Sequence, residues 1–93
     1  MNDTDAEIQK QRVRDLHTEW VKPLGLAWWR WDYEWFRGEI PDNDGTIFVI
    51  TVRYEYHDVT LRACLPHIAN MSDDDLEHAF VHELAHCYTV PLK

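Results

Sequence analysis

The residues best suited to chemistry are His82, Glu83 and His86, which form the pattern H-E-x-x-H near the C-terminus. Residues four apart lie one above the other on an α-helix, so two neutral imidazoles at these positions can bind one Zn²⁺. Glu83 lies about 100° further round the helix and can reach a water molecule without being a ligand. The spacing predicts hydrolysis by a metal-activated water, with Glu83 as the general base.

A capped amphipathic helix would have to position these groups. Ser72 is a favourable N-cap residue and is followed by an acidic first turn. Apolar residues recur on one side, namely Leu76, Phe80, Leu84 and Cys87. The opposite side carries Asp75, His78, His82 and His86. We predict a helix over about 73–89 with its histidines facing away from the core. The simpler alternative is a solvated polar face that binds no metal.

The rest of the chain predicts one helix and three strands before the motif. Thr4 and Glu7 fit a capping box, which predicts helix 1 over about 5–21, and the apolar residues of this helix are Ile8, Val13, Leu16 and Trp20. Alternation predicts a strand over 27–37, in which the inward residues are Trp29, Trp31, Tyr33 and Trp35. These aromatic residues are more typical of a core than of a ligand-binding ladder.

Two further strands follow a polar turn. Residues 46–54 begin with a stretch that is apolar on both faces, which favours the central position in a sheet. Residues 59–65 alternate and end at Pro66. The expected fold class is therefore α+β, with an N-terminal helix, a three-stranded antiparallel sheet and a C-terminal helix that carries H-E-x-x-H. Both helices are expected on the apolar face of the sheet.

Composition limits the classes of partner. The 93 residues, of which 45% are hydrophobic, predict a single folded domain over 1–93. A net charge of −8 disfavours binding to nucleic-acid phosphates. The sequence has no apolar run typical of a membrane span and no signal-peptide pattern at its start, so we expect a cytoplasmic location without membrane binding. Cys64 and Cys87 are expected to be reduced thiols, although a disulfide between them is possible.

The order helix, three strands and a helix with His82-Glu83-x-x-His86 resembles the minimal zincin metallopeptidases. The closest likeness is to small gluzincin-like, SprT-like and ImmA/IrrE-type proteins, which are common in phages. The resemblance implies that His82 and His86 bind Zn²⁺, that Glu83 polarises the attacking water, and that the substrate is a peptide or protein. It also implies that an edge strand holds the substrate extended, a role that sequence order gives to strand 59–65.

The sequence departs from the zincin pattern at the third zinc ligand, which zincins take from downstream of the motif. Only Cys87-Tyr88-Thr89-Val90-Pro91-Leu92-Lys93 follow His86, without Asp, Glu or His. One explanation is that the sequence is truncated before a helix that carries the ligand. A second is a ligand from elsewhere in the chain, with His57, His67 and His78 as candidates. A third is a ligand from a partner subunit, or a water molecule.

Three functions are compatible with these residues. The first is a zinc metallopeptidase. The alternative is a binding or regulatory module that keeps the zincin scaffold without turnover, as the missing third ligand and the short chain suggest. A purely structural zinc is the weakest option, because two histidines without a cysteine pair make a poor closed site. The donor to an oxyanion would come from Tyr54, Tyr56, His57 or Tyr88.

Overall fold

The protein has an α+β fold, as predicted, in a computed structural model that describes residues 1–88. In chain order the elements are α1 (Asp3–Trp20), β1 (Arg30–Phe36), β2 (Phe48–Arg53), β3 (Asp58–Cys64), α2 (Leu65–Ala69) and α3 (Asp73–Leu84). Short 3₁₀ turns cover Tyr54–Tyr56 and Ala85–Tyr88. The N-terminal helix, the three strands and the C-terminal helix therefore begin within a few residues of their predicted positions.

The sheet is mixed, and the prediction of three antiparallel strands is wrong for one of the two pairs. The strand order is β1-β3-β2, with β1 parallel to β3 and β2 antiparallel to β3. The central strand is β3, not β2, so the residues predicted as an edge strand for substrate lie in the middle of the sheet. The physical reason is the connector at 37–47, which is long enough to cross past β3, whereas the 3₁₀ turn at Tyr54–Tyr56 joins β2 and β3 as neighbours.

One face of the sheet is apolar and lies under the helices. Three cross-strand rows cover it, and they are Trp31–Val59–Val52, Tyr33–Leu61–Ile50 and Trp35–Ala63–Phe48. The β3 residues of these rows are fully buried, whereas the aromatic residues of β1 are half-buried against the core. From α1, His17 contacts the rings of Trp31 and Tyr33, and from α3, Phe80 contacts Phe48. Both helices therefore pack on this face, as expected.

The opposite face of the sheet is polar and carries ion pairs between strands. Asp58 is buried and lies between Arg53, at 2.7 Å, and Arg30, at 3.7 Å, which are its cross-strand partners on the two sides. Arg62 pairs with Glu34 at 3.0 Å. Asp58 thus links all three strands at one end of β3. A sheet with one buried and one solvated face explains the two-residue period of the sequence.

Helix α1 begins earlier than the capping-box pattern predicts. The side chain of Asn2, not Thr4, caps it by accepting a hydrogen bond from the Asp5 amide at 2.8 Å. The buried residues of α1 include Ala6 and Val13, whereas Ile8 is exposed, so its predicted inward position is wrong. Within residues 1–88, no helix combines the length and the apolar character needed to cross a membrane.

Candidate functional site

The motif lies at the junction between α3 and a 3₁₀ turn. Ser72 caps α3 as predicted, because its Oγ accepts a hydrogen bond from the Asp75 amide at 3.2 Å. The α-helix ends at Leu84, however, and Ala85–Tyr88 form a 3₁₀ turn. The predicted α-helix to residue 89 is therefore wrong for residues 85–88, which are not α-helical. Residue 89 lies outside the described part of the chain. His82 is in the last α-helical turn, and His86 is in the 3₁₀ turn.

Core packing explains why the backbone tightens after Leu84. Leu84 and Cys87 are both buried, and a 3₁₀ turn brings residues three apart onto the same side. The hydroxyl of Tyr54, just after β2, donates a hydrogen bond to the backbone carbonyl of His86. This bond satisfies a carbonyl that a helix end leaves without an intrahelical partner. Tyr54 therefore fixes the backbone of the second motif histidine to the end of β2.

The two motif histidines are neighbours at the surface. Both are exposed, as the polar stripe of the helix predicts, and their ring centroids lie 5.6 Å apart with an interplanar angle of 89°. Glu83 is more buried than either histidine, with 20% of its side chain exposed. Its Oε2 lies 3.6 Å from His86 Nε2. The three polar side chains of the motif thus share one region of the surface.

Burial changes the proton affinity of Glu83. Loss of hydration raises the pKa of its carboxyl above the ordinary value, because burial disfavours the charged form. The charges of His86 and His82 act in the opposite direction when these rings are protonated. A carboxylate with a raised pKa is a stronger base than an exposed carboxylate. A raised pKa therefore favours the abstraction of a proton by Glu83.

A surface cavity of about 430 Å³ joins the motif to the edge of β2. Glu83 and His86 form one wall, and the other wall is formed by β2 with its flanking residues Asn43, Thr46 and Tyr54. From β2 itself the lining residues are Phe48, Val49, Ile50 and Val52. His82 is not part of the lining. Because β2 is an edge strand, the cavity lies beside a strand edge that has no partner strand within residues 1–88.

The three histidines considered as a third ligand lie elsewhere. His57, in the left-handed region at φ 53°, contacts the ring of Trp28 at a centroid distance of 4.3 Å. His67 bonds to Glu39, and His78 is exposed beside Trp20. Among residues 1–88, no third side chain of a ligand-forming type completes a compact three-ligand group with His82 and His86.

Sequence patterns alone did not identify a second cluster, formed by Glu39, Cys64 and His67. One ligand-type atom from each of these residues lies within 4.8 Å of the other two. His67 Nε2 is 2.8 Å from Glu39 Oε1, and the Cys64 thiol donates to the Gly38 carbonyl at 3.1 Å. The Gly45 amide and His67 lower the pKa of the Glu39 carboxyl by hydrogen bonding. The Cys64-x-x-His67 spacing was the available signal, because zinc ligands are commonly separated by a few intervening residues.

The two cysteines are both free and buried, as expected for reduced thiols. Burial raises the pKa of the Cys87 thiol to about 11, so this residue is unreactive as a thiolate at neutral pH. Cys87 packs into the core beneath the motif and supplies no candidate ligand on the exposed side.

Comparisons of the chain with protein-family models, with curated proteins and with solved structures find no match.

Proposed function

We propose that the protein is a zinc-dependent peptidase of minimal zincin type, with Zn²⁺ held by His82 and His86 and Glu83 as the general base. The observation that carries the proposal is the shared cavity, in which Glu83 and His86 face the edge of β2. A base, a metal-ligand side chain and an open strand edge are three of the parts that a metallopeptidase uses to cleave an extended peptide.

The arrangement of the two imidazoles supports a common metal ion. Nitrogen ligands bind Zn²⁺ at about 2.0–2.1 Å, so two imidazoles on one tetrahedral ion have ring centroids roughly 5 Å apart. The observed separation between His82 and His86 is 5.6 Å. Both rings are exposed, so their side chains are free to reorient toward an ion. The pair therefore fits two of the three protein ligands that catalytic zinc generally takes.

Each residue of the site then has a distinct part in hydrolysis. When bound, Zn²⁺ supplies Lewis-acid chemistry that acidifies water and polarises a carbonyl. Glu83 accepts the proton of the attacking water at its carboxylate and delivers it to the leaving amine. The edge of β2 binds the substrate backbone by adding it as a further strand, and Val49 and Val52 contact its side chains. Tyr54 holds the backbone of His86 and is a positioning residue.

A binding or regulatory module without turnover is the second candidate. The observation that favours it is the 3₁₀ turn at Ala85–Tyr88, which moves His86 from the α-helical position where its side chain would lie directly above that of His82. Such a module would use the same strand edge to bind an extended segment, but Glu83 would have no part in its function.

Zinc content and peptide hydrolysis together test both candidates. We expect the purified protein to bind one equivalent of zinc at the motif, and the His82→Ala variant to lack it. Elemental analysis after dialysis measures the zinc content of both proteins. The measurement is made in a Cys64→Ser background, so that zinc at the second cluster does not contribute. Retention of the same zinc content in His82→Ala would rule out the motif as the metal site.

Glu83→Gln separates the peptidase from the module. This variant should keep its zinc and lose at least about 100-fold in hydrolysis of an unfolded protein substrate, because general base catalysis contributes that much. Glu55→Gln, an exposed glutamate outside the cavity, is the matched control and should retain full activity. Equal activity of Glu83→Gln and the wild type would reject the proposed mechanism. Binding of extended peptides without hydrolysis would support the module.

A further inference from the structure

We propose that Glu39, Cys64 and His67 form a second metal site, which binds Zn²⁺ or a similar thiophilic divalent cation. The three residues come from separate elements, because Glu39 follows β1, Cys64 is the last residue of β3 and His67 lies in α2. Their candidate ligand atoms lie within 4.8 Å of one another. This site is separate from the histidine motif and does not depend on peptidase activity.

The pairing of β1 with β3 and the start of α2 bring these three residues together. β1 and β3 are parallel, and Phe36 is the register partner of Cys64, so the chain that leaves β1 passes beside Cys64. Cys64 is the N-cap residue of α2 and His67 is its third residue, positions whose side chains commonly approach each other at the start of a helix. The Gly45 amide donates to Glu39 Oε2 at 2.8 Å and holds the carboxylate toward His67.

The chemistry of the ligand atoms indicates which ion fits. A thiolate, an imidazole and a carboxylate are the ligand types that Zn²⁺ takes in proteins, whereas Ca²⁺ and Mg²⁺ prefer oxygen ligands alone. Donor atoms on one tetrahedral zinc lie roughly 3.3–3.6 Å apart. The ligand atoms lie within 4.8 Å of one another, and His67 Nε2 is 2.8 Å from Glu39 Oε1, so shifts of about 1 Å would admit the ion in place of the Glu39–His67 hydrogen bond.

Burial favours a metal ligand over a catalytic nucleophile. Cys64 is 1% exposed, so its sulfur cannot reach the carbonyl of a bulky substrate. The side chains of His67 and Glu39 are 32% and 46% exposed, which leaves a path for an ion from the solvent side. Zinc at this site would join α2 and the end of β3 to the 37–47 connector. The same connector contributes Asn43 and Thr46 to the cavity beside β2, so the ion would fix that wall.

Cobalt titration tests the proposal, because only this cluster contains a cysteine. A thiolate bound to Co²⁺ absorbs in the near ultraviolet, and the histidine motif cannot produce that band. Metal-free, reduced wild-type protein should develop the band as Co²⁺ is added, and Zn²⁺ should abolish it. Cys64→Ser should lack the band. Cys87→Ser and His82→Ala are the matched controls and should retain it.

Two further variants keep the test decisive if Cys64→Ser does not fold. His67→Ala and Glu39→Gln alter partly exposed side chains and should remain folded by circular dichroism. Each should weaken Co²⁺ binding at least about tenfold, since removal of even a residue that only orients a ligand costs 10- to 100-fold. Glu55→Gln should bind as the wild type does. Absence of the band in folded wild type, or an unchanged titration in His67→Ala and Glu39→Gln, would overturn the proposal.

Discussion

His17 and Tyr33 form a half-buried polar pair between α1 and the sheet. His17 Nδ1 lies 2.6 Å from the Tyr33 hydroxyl. Burial raises the pKa of Tyr33 and lowers the pKa of His17 from its ordinary value of 6.5. The folded protein therefore favours a protonated phenol that donates its hydrogen bond to a neutral imidazole. The pair satisfies two polar groups that α1 would otherwise bury against aromatic rings.

This pair predicts a pH dependence of stability. Because the pKa of His17 is lower in the folded state, the unfolded chain binds more protons below 6.5. The contribution of His17 to stability is complete above 6.5 and is lost as the pH falls from that value through the lower pKa of the folded state. The loss should be below about 1 kcal/mol, since solvent screens a half-exposed group. We expect His17→Gln, which keeps an acceptor for Tyr33 but does not titrate, to lose less stability on acidification.

Urea unfolding at pH values of about 7.5 and about 5.5 measures this effect. His78→Gln is the matched control, because His78 is exposed on α3 and should leave the wild-type difference unchanged. The same loss of free energy of unfolding in His17→Gln and the wild type would show that His17 does not contribute.

Among individual residues, the sequence predicted those of the motif better than those of the second cluster. The exposure of His82 and His86 and the burial of Leu84 follow from helical periodicity, which is local information. The approach of Glu39 to Cys64 depends on the parallel pairing of β1 with β3, which sequence periodicity does not encode. Local patterns therefore predicted one candidate site, and only tertiary structure brought the other together.

At the scale of elements, the Tyr54 hydroxyl connects the end of β2 to the 3₁₀ turn that carries His86. Tyr54→Phe removes the donor without a large change in volume and leaves the carbonyl of His86 without this bond. We expect a loss of about 1 kcal/mol in the free energy of unfolding, the usual contribution of one hydrogen bond. Amide hydrogen exchange at Ala85 and Cys87 should accelerate more than exchange in the middle of α3.

The matched control for this change is Tyr56→Phe, two residues along the same turn. Tyr56 is 67% exposed, so its substitution should change stability by less than about 0.5 kcal/mol. If both variants have the same stability and the same exchange rates as the wild type, the turn does not depend on the Tyr54 bond.

The strand order was the main error in predicting the elements. The sequence predicted a central strand here because Phe48, Val49 and Ile50 are apolar on both faces. In the structure β2 is an edge strand, and Val49 lines the cavity next to the motif. An apolar residue such as Val49 on the polar face of the sheet therefore reflects a candidate binding surface, not a central position of the strand. The short helix α2 was also missed, although Pro66 in its first turn is a typical start signal.

At the scale of the whole molecule, the two candidate metal sites lie at opposite ends of β3. Cys64 ends this strand beside the second cluster. Asp58 begins it and pairs in register with Arg53, which directly precedes Tyr54 and its bond to His86. This arrangement explains why His67 is not near the motif. It also allows each site to be altered separately, because the substitutions that test one site do not touch the other.

The net charge of −8 predicts how the whole protein responds to salt. Repulsion among unpaired carboxylates destabilises the compact state, and added salt screens it. Several exposed ion pairs, such as Arg62–Glu34, weaken at the same time, but pairs of this kind contribute little. We expect added sodium chloride to raise the free energy of unfolding by roughly 0.5 kcal/mol, which corresponds to about 2–4 °C in Tm for a domain of this size.

Removing negative charge should have the same effect as salt. Glu19→Gln and Glu55→Gln together lower the negative charge by two at exposed positions, and Glu19 is also unfavourable near the C-terminal end of α1. The double variant should melt higher at low salt and gain less from added salt. Thermal melts with a chelator present, so that metal binding does not contribute, measure both effects. A decrease in Tm with salt would mean that the ion pairs, including those of Asp58, outweigh the repulsion.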